Sequence, residues 1–308
     1  MTTHNNIIAR THNLTKRFRN ITAVKDLNIE IHRGEVFGFL GPNGAGKTTT
    51  IGLLLGLLHP TAGSIEMFGE NIAHNLGILK RVGAIVETSA FYPYLSGLDN
   101  LRVLATMDDV SDERIRTVLD IVGMTERAKS KYKTYSLGMK QRLGIAAALL
   151  SDPELILLDE PTNGLDPAGM KEVRDLIVKL AHMGKTIFLS SHLLFEVEQV
   201  CTRVAIIKKG EVIAQGIVNE LLQRGQKLQI GVSDTARAVE ILKTAEWIHN
   251  VSVRDNLIFL ETSKENASRI SELLAKSNVF LSELKTVDST LEDFFLEITQ
   301  GERDAETR

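Results

Sequence analysis

Val36-Phe37-Gly38-Phe39-Leu40-Gly41-Pro42-Asn43-Gly44-Ala45-Gly46-Lys47-Thr48-Thr49 sets the frame for the whole chain. Its first five residues are apolar or glycine, a length that suits a buried strand. Gly41 to Thr48 then reads G-x-x-x-x-G-K-[ST], and a helix is expected to start near Thr48. The glycines let the backbone wrap closely around phosphate oxygens, and the N–H groups of the loop and of the helix start face the negative charge. Asn43, Gly44, Ala45, Gly46, Lys47, Thr48 and Thr49 therefore read as a phosphate cradle. Lys47 would reach the β- and γ-phosphates, and the Thr48 hydroxyl would ligate Mg²⁺.

A second stretch completes this chemistry. Leu155-Ile156-Leu157-Leu158-Asp159-Glu160 is an apolar strand that delivers two carboxylates to its carboxyl end, where α/β sheets bind their ligands. Asp159 is placed to hold Mg²⁺, directly or through water, and Glu160 to polarise an attacking water. Phosphoryl transfer needs that positioning and little covalent chemistry.

Outward from these stretches, the expected strands are Ile7 to Leu14, Ala23 to Ile31, Glu35 to Leu40, Leu155 to Leu158, Thr186 to Ser190 and Val204 to Lys208. Helical periodicity dominates from about Gly97 to Leu150. Helices between the later strands imply crossovers of a parallel sheet. Lys209-Gly210 turns into a hairpin strand, Glu211 to Gln215, and the polar run Gln223 to Lys227 marks a boundary.

Beyond it, strand Lys227 to Val232, helix Thr235 to Thr244, a hairpin of Trp247 to Val253 and Asn256 to Glu261 turning at Arg254-Asp255, helix Asn266 to Lys276 and strand Val279 to Thr286 give the ferredoxin-like order βαββαβ. A last helix, Thr290 to Ile298, has Ser289 or Asp288 as its expected N-cap.

The 308 residues carry 36 basic and 39 acidic side chains, a net charge of −3 without the basic excess of a nucleic-acid binder. The single Cys201 excludes an intrachain disulfide and reads as a small buried residue. Met1 to Asn13 lacks the apolar core of a secretory signal. The longest apolar stretches, such as Ile51 to Leu58 and Gly144 to Leu150, fall short of the roughly 20 residues of a spanning helix. Work at a membrane would need a partner.

Between the two phosphate-site stretches lies Tyr135-Ser136-Leu137-Gly138-Met139-Lys140-Gln141-Arg142. It resembles the L-S-G-G-Q signature of ABC ATPases, with Ser136 and Gly138 agreeing and Tyr135, Leu137 and Met139 departing. The resemblance spans about Ile7 to Gln215. It implies a RecA-like parallel sheet with an antiparallel β-subdomain and an α-helical subdomain at about 90–150, within an ATPase domain over 1–222; the βαββαβ run then reads as a small α+β accessory domain over 227–308, either regulatory or dimer-stabilising. It also implies a head-to-tail pair of ATPase subunits in which Ser136 and Gly138 face the γ-phosphate held by the other subunit.

Further family elements follow in order. Asn163-Gly164-Leu165-Asp166 resembles the loop that crosses the dimer interface, His192 the switch histidine at the γ-phosphate, and Phe18 the aromatic that stacks on adenine. Where the family usually has Gln after the strand Val82-Gly83-Ala84-Ile85-Val86, this chain has Glu87. A carboxylate keeps an oxygen ligand for Mg²⁺ or water but loses the amide donor.

This Glu variant, with Asp159-Glu160-Pro161-Thr162-Asn163-Gly164-Leu165-Asp166-Pro167 and Ser289-Thr290-Leu291-Glu292-Asp293-Phe294-Phe295, is similar to the ATPase subunits of bacitracin and lantibiotic exporters. That resemblance implies ATP and Mg²⁺ as ligands, membrane-spanning permease subunits as partners, a peripheral place on the cytoplasmic face of the membrane, and export of an antimicrobial peptide. An importer, a sensory complex or a non-transport ABC ATPase acting on DNA or ribosomes are the competing classes. The cluster Phe91-Tyr92-Pro93-Tyr94-Leu95 either packs on the helical subdomain or forms a groove for a helix of the membrane subunit.

Overall fold

A computed structural model of the chain describes residues 6–86, 90–107, 110–224, 227–248, 250–287 and 290–295. The chain folds as two compact units, Met1–Gly216 and Ile217–Arg308.

In the first unit a six-stranded sheet runs, in spatial order, Glu211–Ile217, Arg203–Lys208, Val36–Leu40, Thr186–Ser191, Leu155–Asp159 and Val82–Ile85. From Arg203–Lys208 to Val82–Ile85 every neighbouring pair is parallel. Its three central strands are buried along their whole length. A parallel sheet is covered on both faces, which is why these strands read as unbroken apolar runs. Phe188 lies against both Phe37 and Phe39, with ring centroids 5.8 and 5.3 Å apart. These rings fill the core beneath the glycine loop.

The helical stretch divides into Gly97–Ala105, Asp112–Ile121 and Leu137–Ala148, with short 3₁₀ turns at Thr125–Arg127 and Tyr132–Thr134 between the last two. Each helix opens on a serine. Ser96, Ser111 and Ser136 accept the backbone N–H three residues on, supplying one of the bonds a helix start lacks.

An antiparallel sheet runs Ile21–Leu27, Ile7–Phe18, Ala62–Met67 and Glu70–Asn71, with Glu30–His32 also paired to Ile7–Phe18. The single strand expected over Ala23 to Ile31 is thus two. Asp26 adopts φ 48°, its N–H donating to Thr15 Oγ1 at 3.0 Å. Asn28 then bonds sideways, accepting from Asn13 N and donating to Asp26 O. Local side-chain bonding of this kind competes with a ladder.

The second unit places its strands in the order Val251–Arg254, Leu257–Glu261, Lys227–Val232 and Leu281–Val287, all neighbours antiparallel. With helices Thr235–Lys243 and Ala267–Ala275 this is the ferredoxin-like arrangement. Leu228, Ile230, Ala238, Leu242, Ile258, Leu260, Ile270 and Leu274 form its core.

Three local expectations shift here. Trp247 and Ile248 precede the strand and pack against the core instead of joining the ladder. The hairpin turns at Asp255-Asn256, both at positive φ, as a two-residue turn between twisted strands requires. Thr290 caps the last helix, its Oγ1 accepting from Asp293 N at 3.1 Å while the Asp293 carboxylate accepts from Thr290 N. Ser289 and Asp288 lie outside the described residues.

Candidate nucleotide site

The glycine loop joins strand Val36–Leu40 to helix Lys47–Leu54. Gly46 is the N-cap, at φ 108° and with no side-chain bond to the helix start, so the first N–H groups remain available to an anion. Two glycines have no room for a side chain. A Cβ on Gly41 would sit 2.5 Å from the Ile207 carbonyl oxygen, and one on Gly46 would sit 2.3 Å from that of Ala23. The same Ala23 carbonyl lies against Gly210, where a Cβ would meet it at 2.8 Å. Gly210 in turn donates to Ala45 O at 3.0 Å and accepts from Lys25 N at 2.9 Å. The loop is therefore locked between the antiparallel sheet and the turn Lys209-Gly210.

Buried Lys47 folds back over the loop. Its Nζ donates to Gly41 O at 2.6 Å and Pro42 O at 3.2 Å and pairs with Glu160 Oε1 at 3.1 Å. Thr48 Oγ1 donates to Asp159 Oδ2 at 2.8 Å. On the other side of Glu160, Oε2 lies 2.8 Å from His192 Nδ1. Glu160 has φ 48°, a conformation uncommon for a residue with a side chain and frequent at working sites.

Lys47, Thr48, Asp159, Glu160 and His192 thus form one connected group at the carboxyl end of the sheet, from segments more than 100 residues apart. Ser190, which the sequence reading did not single out, joins them: its Oγ lies 2.5 Å from Asp159 Oδ1 and 3.0 Å from Glu160 N. No linear motif marks it. Its place follows from the pairing of Asp159 with Ser190 across two parallel strands.

Thr48 and Asp159 offer converging oxygens, the donor type that Mg²⁺ takes. Among the described residues no cluster of three His, Cys, Asp or Glu side chains could hold a metal without help.

Of the remaining candidate residues, Asn163 touches this group through the Glu160 carbonyl, while Ser136, Gly138 and Phe18 make their contacts elsewhere. Ser136 caps its own helix, accepting from Met139 N at 3.2 Å, and Leu137 beside it is 49% exposed. A Cβ on Gly138 would have only the Gly169 Cα nearby, at 3.8 Å. Asn163 N bonds Glu160 O, Gly164 turns at φ 75° near Leu137, Leu165 N bonds Thr162 O, and Asp166 caps helix Pro167–His182 through Gly169 N. Phe18 is exposed, with Lys16 Nζ 5.0 Å above its ring.

The aromatic cluster divides. Phe91 packs edge-on against Tyr132, with ring centroids 5.1 Å apart, while Tyr92 and Tyr94 are 60% and 73% exposed. Buried Asn100 holds this loop by accepting from Tyr92 N and donating to Tyr92 O and Ser96 O. Glu87 lies outside the described residues. Burial pushes the Cys201 thiol well up, so it is an inert packing residue, as expected.

A buried parallel strand, a glycine loop on a helix N-terminus and a carboxylate pair on the next strand but one define a P-loop nucleoside triphosphatase. The sequence pattern of the ABC transporter family matches residues 24–163. The bacitracin transport ATP-binding protein BcrA of Bacillus licheniformis is 42% identical over 299 residues, covering 96% of this chain and 98% of that protein. The lantibiotic transport ATP-binding protein SrtF of Streptococcus pyogenes is 42% identical over 203 residues, 66% of this chain and 88% of that protein. The solved structure of cbiO1 from Clostridium perfringens, part of the ABC transporter complex cbiONQ, superposes with a TM-score of 0.66 at 28% identity, covering 70% of this chain and 90% of that one. The chain belongs to the ATP-binding subunits of ABC transporters: it binds nucleotide and is an ATPase. Among the described residues no helix is long and apolar enough to cross a membrane.

Proposed function

We propose that this chain powers export of an antimicrobial peptide by hydrolysing MgATP on behalf of separate membrane-spanning permease subunits. The observation that carries the ATPase half is the connected group Lys47–Glu160–His192 beside Thr48–Asp159. Lys47 and the N–H groups of Asn43 to Thr49 bind the phosphates. Thr48 and Asp159 hold Mg²⁺, with Glu87 as a further oxygen donor. Bound there, the ion would offset charge on the transferred phosphoryl group. Glu160 orients the attacking water, and His192 steadies the Glu160 carboxylate and the γ-phosphate. Phe18 stacks on the adenine; a base needs only a π-face.

Ser136 and Gly138 complete the site of a second subunit, packed head to tail, with Asn163, Gly164, Leu165 and Asp166 along the interface. Ser136 sits exposed at its helix start and Gly138 has the Gly169 Cα beside it, which supports this role. Residues 1–222 act as the ATPase domain, with the helical subdomain at about 90–150, and 227–308 as an accessory domain. The exposed Tyr92, whose backbone Asn100 holds, and the exposed Tyr94 suit a contact with the permease on the cytoplasmic face of the membrane.

The peptide cargo is supported by the relatives above, which serve bacitracin and lantibiotic transport. The test is peptide sensitivity of cells carrying the wild-type gene or Glu160→Gln beside the native permease. Protection by the wild type and loss of it in the variant are expected. Equal sensitivity, with wild-type ATPase intact in vitro, would assign another cargo.

A further inference from the structure

We infer that Ser190 is a positioning residue that ties the cation-holding carboxylate to the water-orienting one; this rests on the roles proposed above for Asp159 and Glu160. Ser190 is fully buried in the strand Thr186–Ser191, and parallel pairing sets it directly beside Asp159. A serine hydroxyl has one proton and two acceptor lone pairs. The Glu160 amide 3.0 Å away can only donate, so Ser190 Oγ accepts from it. The hydroxyl proton is then directed to Asp159 Oδ1 at 2.5 Å, a bond to a charged acceptor. The direction of both bonds follows from the chemistry of the partners.

Two consequences follow for the site. With Oδ1 held by Ser190, Asp159 presents Oδ2 beside the Thr48 hydroxyl, the two oxygens that would share the cation. The Glu160 amide is held twice, by Ser190 Oγ and by Ser190 O at 3.2 Å, where its backbone turns through φ 48°. One hydroxyl therefore fixes the rotation of one carboxylate and the backbone from which the other projects. Alanine would leave Asp159 Oδ1, in a residue only 3% exposed, without this donor. The carboxylate would be free to turn, and the amide of Glu160 would keep only the longer of its two bonds.

The experiment uses the full chain with Ser190→Ala, Ser190→Thr and Asp159→Asn. Affinity for a fluorescent ATP analogue is measured with Mg²⁺ and with EDTA, alongside kcat, KM, the Mg²⁺ concentration for half-maximal ATPase, and Tm. Ser190→Ala is expected to bind the analogue like the wild type in EDTA. With Mg²⁺ it should bind about 10-fold more weakly and turn over about 10-fold more slowly, the scale of one lost bond to a charged group. Ser190→Thr, which keeps the hydroxyl, should recover most of the Mg²⁺ effect. Adding Ser190→Ala to Asp159→Asn should cost little more, because the two residues act as one unit. A Ser190→Ala protein with wild-type Mg²⁺ dependence overturns the inference and leaves the ATPase site standing. So does one equally weakened with and without Mg²⁺. If the wild type itself shows no Mg²⁺ dependence in either measurement, the site reading falls and the inference falls with it.

Discussion

The two parts of the proposed nucleotide machinery differ in how far one chain assembles them. Around the glycine loop the charged and hydroxyl side chains at the sheet end engage one another: Lys47 with Glu160, Glu160 with His192, Thr48 with Asp159, and Asp159 with Ser190. Around Ser136 no comparable group is assembled among the described residues. Ser136 serves its own helix, Gly138 faces open space apart from Gly169, and Leu137 is half exposed. A connected group is what a single chain needs to bind phosphate. An exposed, serine-capped helix start flanked by a small residue is what it would offer to a phosphate held elsewhere. On the proposed head-to-tail pairing, the contrast means that the binding half is finished by folding while the closing half would wait for association.

The largest effect should come from Glu160→Gln. Turnover is expected to fall about 10²–10⁴-fold with ATP still bound, the usual scale for removing an acid–base group, and ATP-dependent dimers should accumulate. Steady-state ATPase with size-exclusion chromatography measures both, and wild-type turnover would end the assignment.

A mixing experiment then separates the halves directly. Lys47→Ala should abolish nucleotide binding, and Ser136→Arg should block the closing half. Each alone should be inactive. On the proposed head-to-tail pairing, mixing them would give dimers that retain one intact combination of Lys47 and Ser136, so activity should return. No recovery would mean that Ser136 serves the loop of its own chain, and the contrast would collapse.

Outside both halves the expected effects are smaller. Tyr94→Ala should weaken association with the permease by about 1–2 kcal/mol, as loss of an exposed aromatic contact does, without changing basal ATPase of the isolated chain. Co-purification and Tm measured together decide this. A drop in stability with unchanged association would make Tyr94 a packing residue.

Smallest is an ion pair that should matter only to stability. The Lys185 ammonium, with Arg114 nearby, holds the Asp152 carboxyl below its ordinary value of 3.8. A carboxyl lowered in the fold stabilises it above that ordinary value, and the contribution disappears as the pH falls through the folded value. Because Asp152 is two-thirds exposed, Lys185→Met should remove only about a few tenths of a kcal/mol near neutrality and nothing in strong acid. Chemical denaturation at the two pH values tests this, and turnover should not change.

The finished half was legible in the sequence because its chemistry sits in short contiguous runs, Gly41 to Thr48 and Asp159-Glu160, each following an apolar strand. Ser190 was not, because its meaning comes from strand register and no spacing in the chain encodes it. The ferredoxin-like order was readable from alternating helix and strand periodicity. The position of Trp247 was not, since an aromatic that packs on a core and one that opens a strand share the same local pattern. Ala62–Met67 and Glu70–Asn71 escaped strand assignment because glycine and charge dilute their alternation. The break at Asp26 depended on Thr15 and Asn13, partners that only the fold brings near.

The Ala23 carbonyl, wedged against Gly46 and Gly210, has an evolutionary consequence. The constraint falls on a backbone atom that every residue type possesses. Ala23 itself could drift among residues that keep the strand, whereas Gly46 and Gly210, which make room for that oxygen, could not. Among descendants of this sequence the contact should persist with one partner variable and two invariant. A survey of substitutions would register the two glycines and pass over the residue they accommodate.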